Sequence, residues 1–502
     1  MPAPTVTVVV AASHPGRPAA RQPEMPGEDG TEWILEPAVA GDLGQAWNRG
    51  ARRGRGELLL FVRDTAAGRE TIGNHVELHR LHSRALGLSA WPGEHGAGDV
   101  RPLDFCGGVC SIGRTEFVEA GGFIEGLEWG AEVELAHRLA ARGVRLLRAG
   151  GELDLAPRPA GVRTLAAERA AAGRGSVALY RLKPALLPEL ELARFGDGAP
   201  RAAVLQRLLL AMGAPLWPVR VAARLVPRRR RSSWQRFVHS YLYWRGVWQA
   251  VPDRETRARL VHAPLILMYH AIGAPGEPAG RYIVPVRRFS AHLRWLRLAG
   301  YRFLGLEEIL EFRRTYRLPP AGAVALTFDD GYLDNHRVAL PILQRHGARA
   351  MFFLVTGRVG DANRWDRTGD LAGRPLMSWA DIADLVQSGM EIGAHSRSHP
   401  ALPGLPDEAR EEEIRGSRAD LEARLGGPVR AFAYPYGLFD EAAVRAAEQA
   451  GFDAACSAHS GANGPAVPAF LLRRLEIRGT DTLLGFALVL WRRSRRRHRR
   501  ER

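Results

Sequence analysis

The sequence predicts an α/β protein of two domains, a Rossmann-type sheet followed by a distorted (β/α) barrel. Three observations carry this. At 502 residues the chain is too long for one ordinary hydrophobic core. From His262 to Arg478 short apolar runs alternate regularly with amphipathic helical patterns, which implies a parallel sheet. The first part opens on the valine-rich run Thr5 to Ala12 and repeats the strand signal at Glu57-Leu-Leu-Leu-Phe-Val62, with a helical pattern between them. The divisions expected are residues 1–226, a basic and aromatic linker over 227–261, the second domain over 262–478 and a basic tail over 479–502.

In the first domain, Thr5 to Ala12 reads as a buried parallel strand and Leu43 to Arg53 as a helix. Between Phe105 and Gly122 the pattern is strand, turn and short helix, ending in Gly121-Gly-Phe123. Ala131 to Gly143 reads as an amphipathic helix with Glu132 and Glu134 near its start. Val204 to Val226 is apolar but too short and proline-broken for a membrane span. An interfacial helix anchored by Trp217 and followed by Arg228 to Arg231, or a helix packed between domains, both suit it. The aromatic run Ser233 to Gly246 is expected as a linker helix docked against one of the domains.

In the second domain strands are expected near Leu265–Tyr269, Arg302–Leu306, Ala323–Phe328, Arg349–Val355, Met390–Ala394, Val429–Tyr434 and Asp453–Ser457. Helices are expected at Phe289–Ala299, Glu307–Arg314, Val338–His346, Trp379–Ser388, Glu408–Leu425 and Glu441–Ala450. Some seven repeats of this kind suggest an incomplete barrel, whose chemistry collects at the carboxyl ends of the strands.

The run Ala323 to Phe328 delivers Asp329 and Asp330 side by side before Gly331. Two adjacent carboxylates at the end of a buried strand ask for a cation, a shared proton or full exposure to water. A second strand, Met390 to Ala394, ends in His395 and His399. Two imidazoles four apart, with a carboxylate from another strand end, make a facial His-His-Asp set with positions left open for water, which suits hydrolysis. A third strand-to-turn segment, Val429 to Gly437, offers backbone N–H groups to a developing oxyanion.

These motifs resemble the polysaccharide deacetylases of carbohydrate esterase family 4, the NodB-like group. Thr327-Phe-Asp-Asp-Gly331 is similar to the family's first motif, His395-Ser-Arg-Ser-His399 to its second and Phe432-Ala-Tyr-Pro-Tyr-Gly437 to a variant of its third. The resemblance implies Asp329 as general base, Asp330, His395 and His399 as ligands of a divalent metal, with zinc first, and the Tyr436 main-chain N–H as oxyanion donor. It implies a hydrolase that removes acetyl groups from an amino-sugar polysaccharide or oligosaccharide.

The chain departs from the pattern twice. Ala433 stands where many members have an arginine after the third-motif Phe, so the base must be steadied from elsewhere, by Arg430 or Arg474. Leu472-Arg-Arg-Leu-Glu-Ile477 stands where a late Leu-x-His motif would supply the general acid, and His270, ending the apolar run Leu265 to Tyr269, is the substitute.

The first domain resembles a family 2 glycosyltransferase of the GT-A type in its opening strand, Trp47-Asn-Arg-Gly50, Gly121-Gly-Phe123 and acidic helix start. Its functional positions fail. Val62-Arg-Asp-Thr65 offers one carboxylate beside an arginine, a poor divalent-cation site, and the segment before Trp33 is short and rich in Pro and Gly. Glu132 then stands at a catalytic-base position without a donor site, which points to a degenerate module.

Lys+Arg of 70 against Asp+Glu of 54 gives a net charge of +16. Arg228 to Arg231 supplies 4 and the tail from Arg492 supplies 8 − 1 = 7, so 11 of the 16 are local. A mildly basic body argues against nucleic acid and leaves the two clusters for peripheral contact with an anionic membrane. Cys106, Cys110 and Cys456 make no disulfide framework, and the N-terminus lacks a secretory pattern, so a cytoplasmic protein is expected. The competing readings are a glycan-binding or membrane-scaffolding protein built of degraded enzymes, and a nucleotide-sugar transferase acting through the first domain.

Overall fold

The computed structural model describes residues 5–12, 31–39, 42–63, 69–89, 100–105, 109–149, 162–195, 200–213 and 231–493. Asp64 and Thr65, the Pro- and Gly-rich segment over 13–30, Cys106, Trp217, Arg228 to Arg230 and the tail from Ser494 lie outside them. The chain forms two compact units, Met1–Leu192 with Leu210–Pro252, and Ala193–Leu209 with Asp253–Arg502.

The first unit is built on β1 (Val6–Ala12), β2 (Thr31–Pro37), β3 (Leu58–Arg63), β4 (Ala85–Ser89), β5 (Val109–Gly113) and β6 (Arg145–Arg148). They form one sheet in the order β2-β1-β3-β5-β4-β6, with β5 antiparallel to β3 and β4. The helix Leu43–Arg53 keeps its expected bounds because Asp42 caps it, accepting from the Gln45 N–H. The aromatic run forms the helix Arg231–Ala250, which belongs to this unit. It packs on the helix Val162–Leu182 with near backbone contact: a Cβ on Gly173 would lie 2.1 Å from Tyr243 O, and one on Gly246 2.0 Å from Ala170 O. The rest of the expected linker, the helix Arg254–Val261, lies in the second unit.

The second unit contains β7 (Leu265–Tyr269), β8 (Ala271–Gly273), β9 (Ile283–Pro285), β10 (Arg302–Phe303), β11 (Ala323–Phe328), β12 (Ala350–Leu354), β13 (Glu391–Ala394), β14 (Ala431–Ala433), β15 (Ala454–Cys456) and β16 (Leu475–Glu476). Seven of them run β15-β14-β13-β12-β11-β7-β16, with β10 beside β11, and every pairing in this sheet is parallel. A single parallel bridge from Cys456 to Leu472, just ahead of β16, draws the two ends of the path together. The result is the incomplete barrel that the strand-helix alternation predicts.

Side-chain alternation along the strands divides the core in two. Ile266, Ala325, Met351, Phe353, Ala431, Ala433, Ala454 and Cys456 pack with one another and with Leu306 and Ile309 of the helix Leu306–Arg314, forming the barrel interior. Their neighbours Leu265, Leu267, Val324, Leu326, Phe328, Phe352, Leu354, Ile392 and Phe432 pack outward with helix residues such as Phe289, Leu293, Leu343, Ile382 and Leu385. Each such buried Leu, Ile or Phe contributes roughly 1.5–3 kcal/mol. Small residues on β14 and β15 keep the interior narrow, which admits Phe353 beside them.

The expected Val338–His346 helix becomes a π-helical turn, Asn335–Ala339, followed by Leu340–Arg345. Pro341 has no N–H for the carbonyl one turn earlier, so the α pattern cannot run through it. The segment Leu472 to Ile477 supplies a strand, β16, which the sequence reading lacks: two residues are too few to show a period.

Candidate active site

Four strand ends converge. The Asp329 N–H donates to Tyr269 O at 3.0 Å, which sets the end of β11 beside His270 at the end of β7. The His395 N–H donates to Leu354 O, and the Tyr434 N–H to Cys456 O, so β13 and β14 finish at the same level. Gly331 follows the aspartyl pair at φ 80°, with Leu354 Cδ2 only 2.9 Å from where a Cβ would sit, so glycine alone suits this turn.

Asp330 Oδ1 lies 3.4 Å from His395 Nε2 and 3.3 Å from His399 Nε2. These three buried groups are the one cluster of this kind among the described residues, their donor atoms all within 4.8 Å of one another. His395 Nδ1 is 2.7 Å from Ala433 O, and a carbonyl can only accept, so the proton sits on Nδ1 and the Nε2 lone pair faces Asp330. The two separations from Asp330 Oδ1, 3.4 and 3.3 Å, match the edge of a tetrahedron with bonds of roughly 2.0–2.1 Å. The donor set therefore fits a divalent ion. His399 is held in turn by its N–H donating to Ser396 Oγ at 3.0 Å, and its ring is stacked by Trp365 at 4.7 Å and edged by Tyr436 at 4.5 Å.

Burial opposes a charge on Asp330, yet the adjacent His395 and His399 rings hold its carboxyl well below the usual carboxylate range. Burial opposes ionisation of Asp329 as well, and the Arg474 guanidinium, with His395 and His270, brings it below its ordinary value. Arg474 makes two parallel contacts, Nη1 to Asp329 Oδ1 at 2.6 Å and Nη2 to Oδ2 at 2.8 Å, with side chains only 1% and 4% exposed. Its Nε also donates to Ser457 O at 3.1 Å. Of the two arginines that could steady this carboxylate, Arg474 is the one beside it; Arg430 pairs with Asp453 at 2.8 Å on the surface.

His270 packs against Tyr282 at 4.8 Å between ring centres, and its Nδ1 is buried with no hydrogen-bond partner among the described residues. Tyr436 keeps its side chain 51% exposed while its backbone takes φ 57°. Asp330, Ser396, His399 and Tyr436 are four of the five non-glycine residues with positive φ among those described. Such backbone is costly, by about 1–3 kcal/mol each, and its concentration at one place is typical of a built site.

Three participants escape the sequence reading. The Tyr332 hydroxyl, fully buried, accepts from Asn363 Nδ2 at 2.8 Å, and burial with the nearby Asp330 carboxylate opposes its ionisation. Asn363 and Trp365 come from an irregular segment between β12 and β13 that carries no periodic signal. Tyr332 adjoins the Asp-Asp-Gly motif, and that proximity was the one available hint.

Residues 317–455 match the family model described as polysaccharide deacetylase. The chain is 26% identical over 212 residues to YxkH of Bacillus subtilis, covering 42% of this chain and 70% of that protein. It is 24% identical over 179 residues to the poly-beta-1,6-N-acetyl-D-glucosamine N-deacetylase of Staphylococcus epidermidis, covering 34% of this chain and 59% of that one. A solved structure of IcaB from Ammonifex degensii is 26% identical and aligns over 46% of this chain and 98% of its own, at a TM-score of 0.41. The family match takes in Asp329, Asp330, His395, His399 and Tyr436, and the second unit of this chain carries a polysaccharide deacetylase domain.

Proposed function

We propose that the chain is a metal-dependent hydrolase that removes N-acetyl groups from an amino-sugar polysaccharide or oligosaccharide. The observation that carries this is the buried Asp330, His395 and His399 cluster next to a carboxylate clamped by Arg474. A divalent ion held by those three, with zinc the first choice for two imidazoles and a carboxylate, supplies Lewis-acid activation of water and of the acetyl carbonyl.

The remaining work falls to the chain's own groups. Asp329, kept ionised by Arg474, takes a proton from the attacking water. Arg474 occupies one direction on each carboxylate oxygen, and a carboxylate has about four acceptor positions, so lone pairs remain for that proton. Water oxygen bonds to the acetyl carbon, and the Tyr436 N–H stabilises the oxyanion that forms. His270 protonates the sugar nitrogen as the carbon–nitrogen bond breaks, leaving acetate and a free amine. The exposed Tyr436 ring, with Trp365 against His399 and Tyr282 against His270, gives a sugar apolar faces to rest on. The first unit takes the reading of a degenerate, glycosyltransferase-like module without a role in this step.

The test is acetate release by the full chain from β-1,6-linked N-acetylglucosamine oligomers, with and without a chelator, followed by an amine assay on the product. Acetate and amine in equal amounts, lost on chelation and restored by zinc, are expected. Acetate from O-acetylated oligomers, with none from these N-acetylated ones, would shift the reading to ester cleavage. No acetate from any N-acetylated oligomer after zinc loading, or release indifferent to chelation, would end it.

A further inference from the structure

The helix Leu483–Arg493 has an inner and an outer face. Phe486 and Leu490 are fully buried; Phe486 stacks on His292 at 4.0 Å and meets Trp295 edge-on at 5.8 Å. On the other face Leu484 and Leu488 remain 71% and 40% exposed. Leu484 and Leu488 also wall a cavity of about 510 Å³ together with Leu265, Trp295, Tyr301 and Ala323. Leu298, 77% exposed, adjoins Ala299 of the same wall. Single exposed leucines need no explanation, but a leucine face on one helix beside a mostly apolar cavity, whose charged and polar lining is Arg207 and His262, is a contiguous patch.

The charge at the end of this helix identifies the occupant. Residues Arg492 to Arg502 contain eight arginines against the single acid Glu501. Leucines leading straight into dense positive charge match a surface that is apolar inside and anionic at its rim, which is an acidic lipid bilayer. No described helix is long and apolar enough to cross a membrane; the arrangement is that of a helix lying in the interface.

We propose that this helix docks the second unit on an anionic membrane, the leucines entering the acyl boundary, a lipid chain seated in the cavity, and the following arginines on headgroup phosphates. Leu265 and Ala323 are the first residues of β7 and β11, whereas Asp329 follows the last residue of β11. Docking is thus at the end of the barrel opposite the catalytic cluster, which stays open to a polymer outside the lipid plane. Only that last consequence rests on the deacetylase function.

The experiment is co-sedimentation of the full chain with vesicles of phosphatidylcholine alone, or of phosphatidylcholine mixed with phosphatidylglycerol. Binding to the mixed vesicles only is expected. It should weaken at least about tenfold in Leu484→Asp with Leu488→Asp, and likewise in Arg495→Ser with Arg496→Ser and Arg497→Ser, given the contribution of each apolar and basic group at such a surface. Melting curves verify that the variants stay folded, and acetate release from soluble oligomers should not change. Three results would overturn the proposal: no binding to mixed vesicles, binding indifferent to the leucine changes, or a dimer that those changes convert to monomer without any vesicle binding, which would make a second copy the occupant. Vesicle binding does not require turnover, so it can succeed or fail independently of the deacetylase assay.

Discussion

Replacing Arg474 with alanine removes both hydrogen bonds to Asp329, at 2.6 and 2.8 Å, between two side chains with almost no access to water. Nothing else described reaches both carboxylate oxygens, so the variant leaves a buried charge without its partner. Breaking a buried pair from one side costs about 3–5 kcal/mol. Part of that appears as lower stability, and part as a base that is no longer held ionised and oriented. If the whole amount reached the transition state, the rate would fall by roughly 10²–10³-fold or more at 1.36 kcal/mol per factor of ten. Metal content, measured by elemental analysis, should not change, since Arg474 does not touch Asp330 or either histidine cluster nitrogen in any described contact. Arg474→Lys keeps a charge but loses the fork, and should recover only part of the rate. Combining Arg474→Ala with Asp329→Asn should cost less stability than the two changes added together. Arg430→Ala, which breaks a surface pair, should move stability by under about 0.5 kcal/mol and leave turnover alone. An Arg474→Ala protein within fivefold of the parent rate and equally stable would refute the reasoning, as would one that loses its metal.

Asp329→Asn should abolish acetate release while elemental analysis still finds the metal, whereas His395→Ala should lose metal and activity together; the reverse pattern would exchange their roles. Tyr332→Phe deletes the buried hydroxyl that Asn363 holds close to Asp330, and metal affinity in a chelator competition should drop by about 10–100-fold, with unchanged affinity counting against a supporting role. Glu391 gives a pH test of stability. Burial, with Glu307 nearby, pushes its carboxyl up to about 7 from 4.5, although Oε2 accepts the Leu306 and Glu307 N–H groups. A raised carboxyl pKa favours the protonated folded state, so this contribution is full below about pH 4.5 and is lost as the pH climbs to about 7. Glu391→Gln keeps one oxygen for both N–H groups and should raise the melting temperature at pH 8, by an amount worth at most about 3 kcal/mol, with little effect near pH 4.5. A difference independent of pH would contradict this account.

Much of the second unit was legible because its signals are local. An apolar run of five or six residues followed by Asp-Asp-Gly, or by two histidines four apart, shows in a short window of sequence, and the strands β7, β11 and β12 fall within a residue of their expected bounds. In the first unit β2, β4 and β6 lack that clarity, since short runs such as Ala85–Ser89 and Arg145–Arg148 have no period long enough to read. The docking partner of the aromatic helix was hidden for a related reason. Its composition signals a helix that docks, but not on which element; the glycines at 173 and 246, each meeting the opposite backbone, put it on the helix Val162–Leu182.

Sequence by itself determined the residue types, the strand-end positions and the metal-type donor set, all of which depend on neighbours a few places away. It narrowed the partner of Asp329 to two arginines and could go no further, because the answer lies 145 positions along the chain. The bridge from Cys456 to Leu472 decided it: closing the barrel there carries Arg474 inward over Phe353 to Asp329 and leaves Arg430 on the surface with Asp453. Which charges meet in a buried cup is a property of how the sheet closes, and no local pattern encodes that.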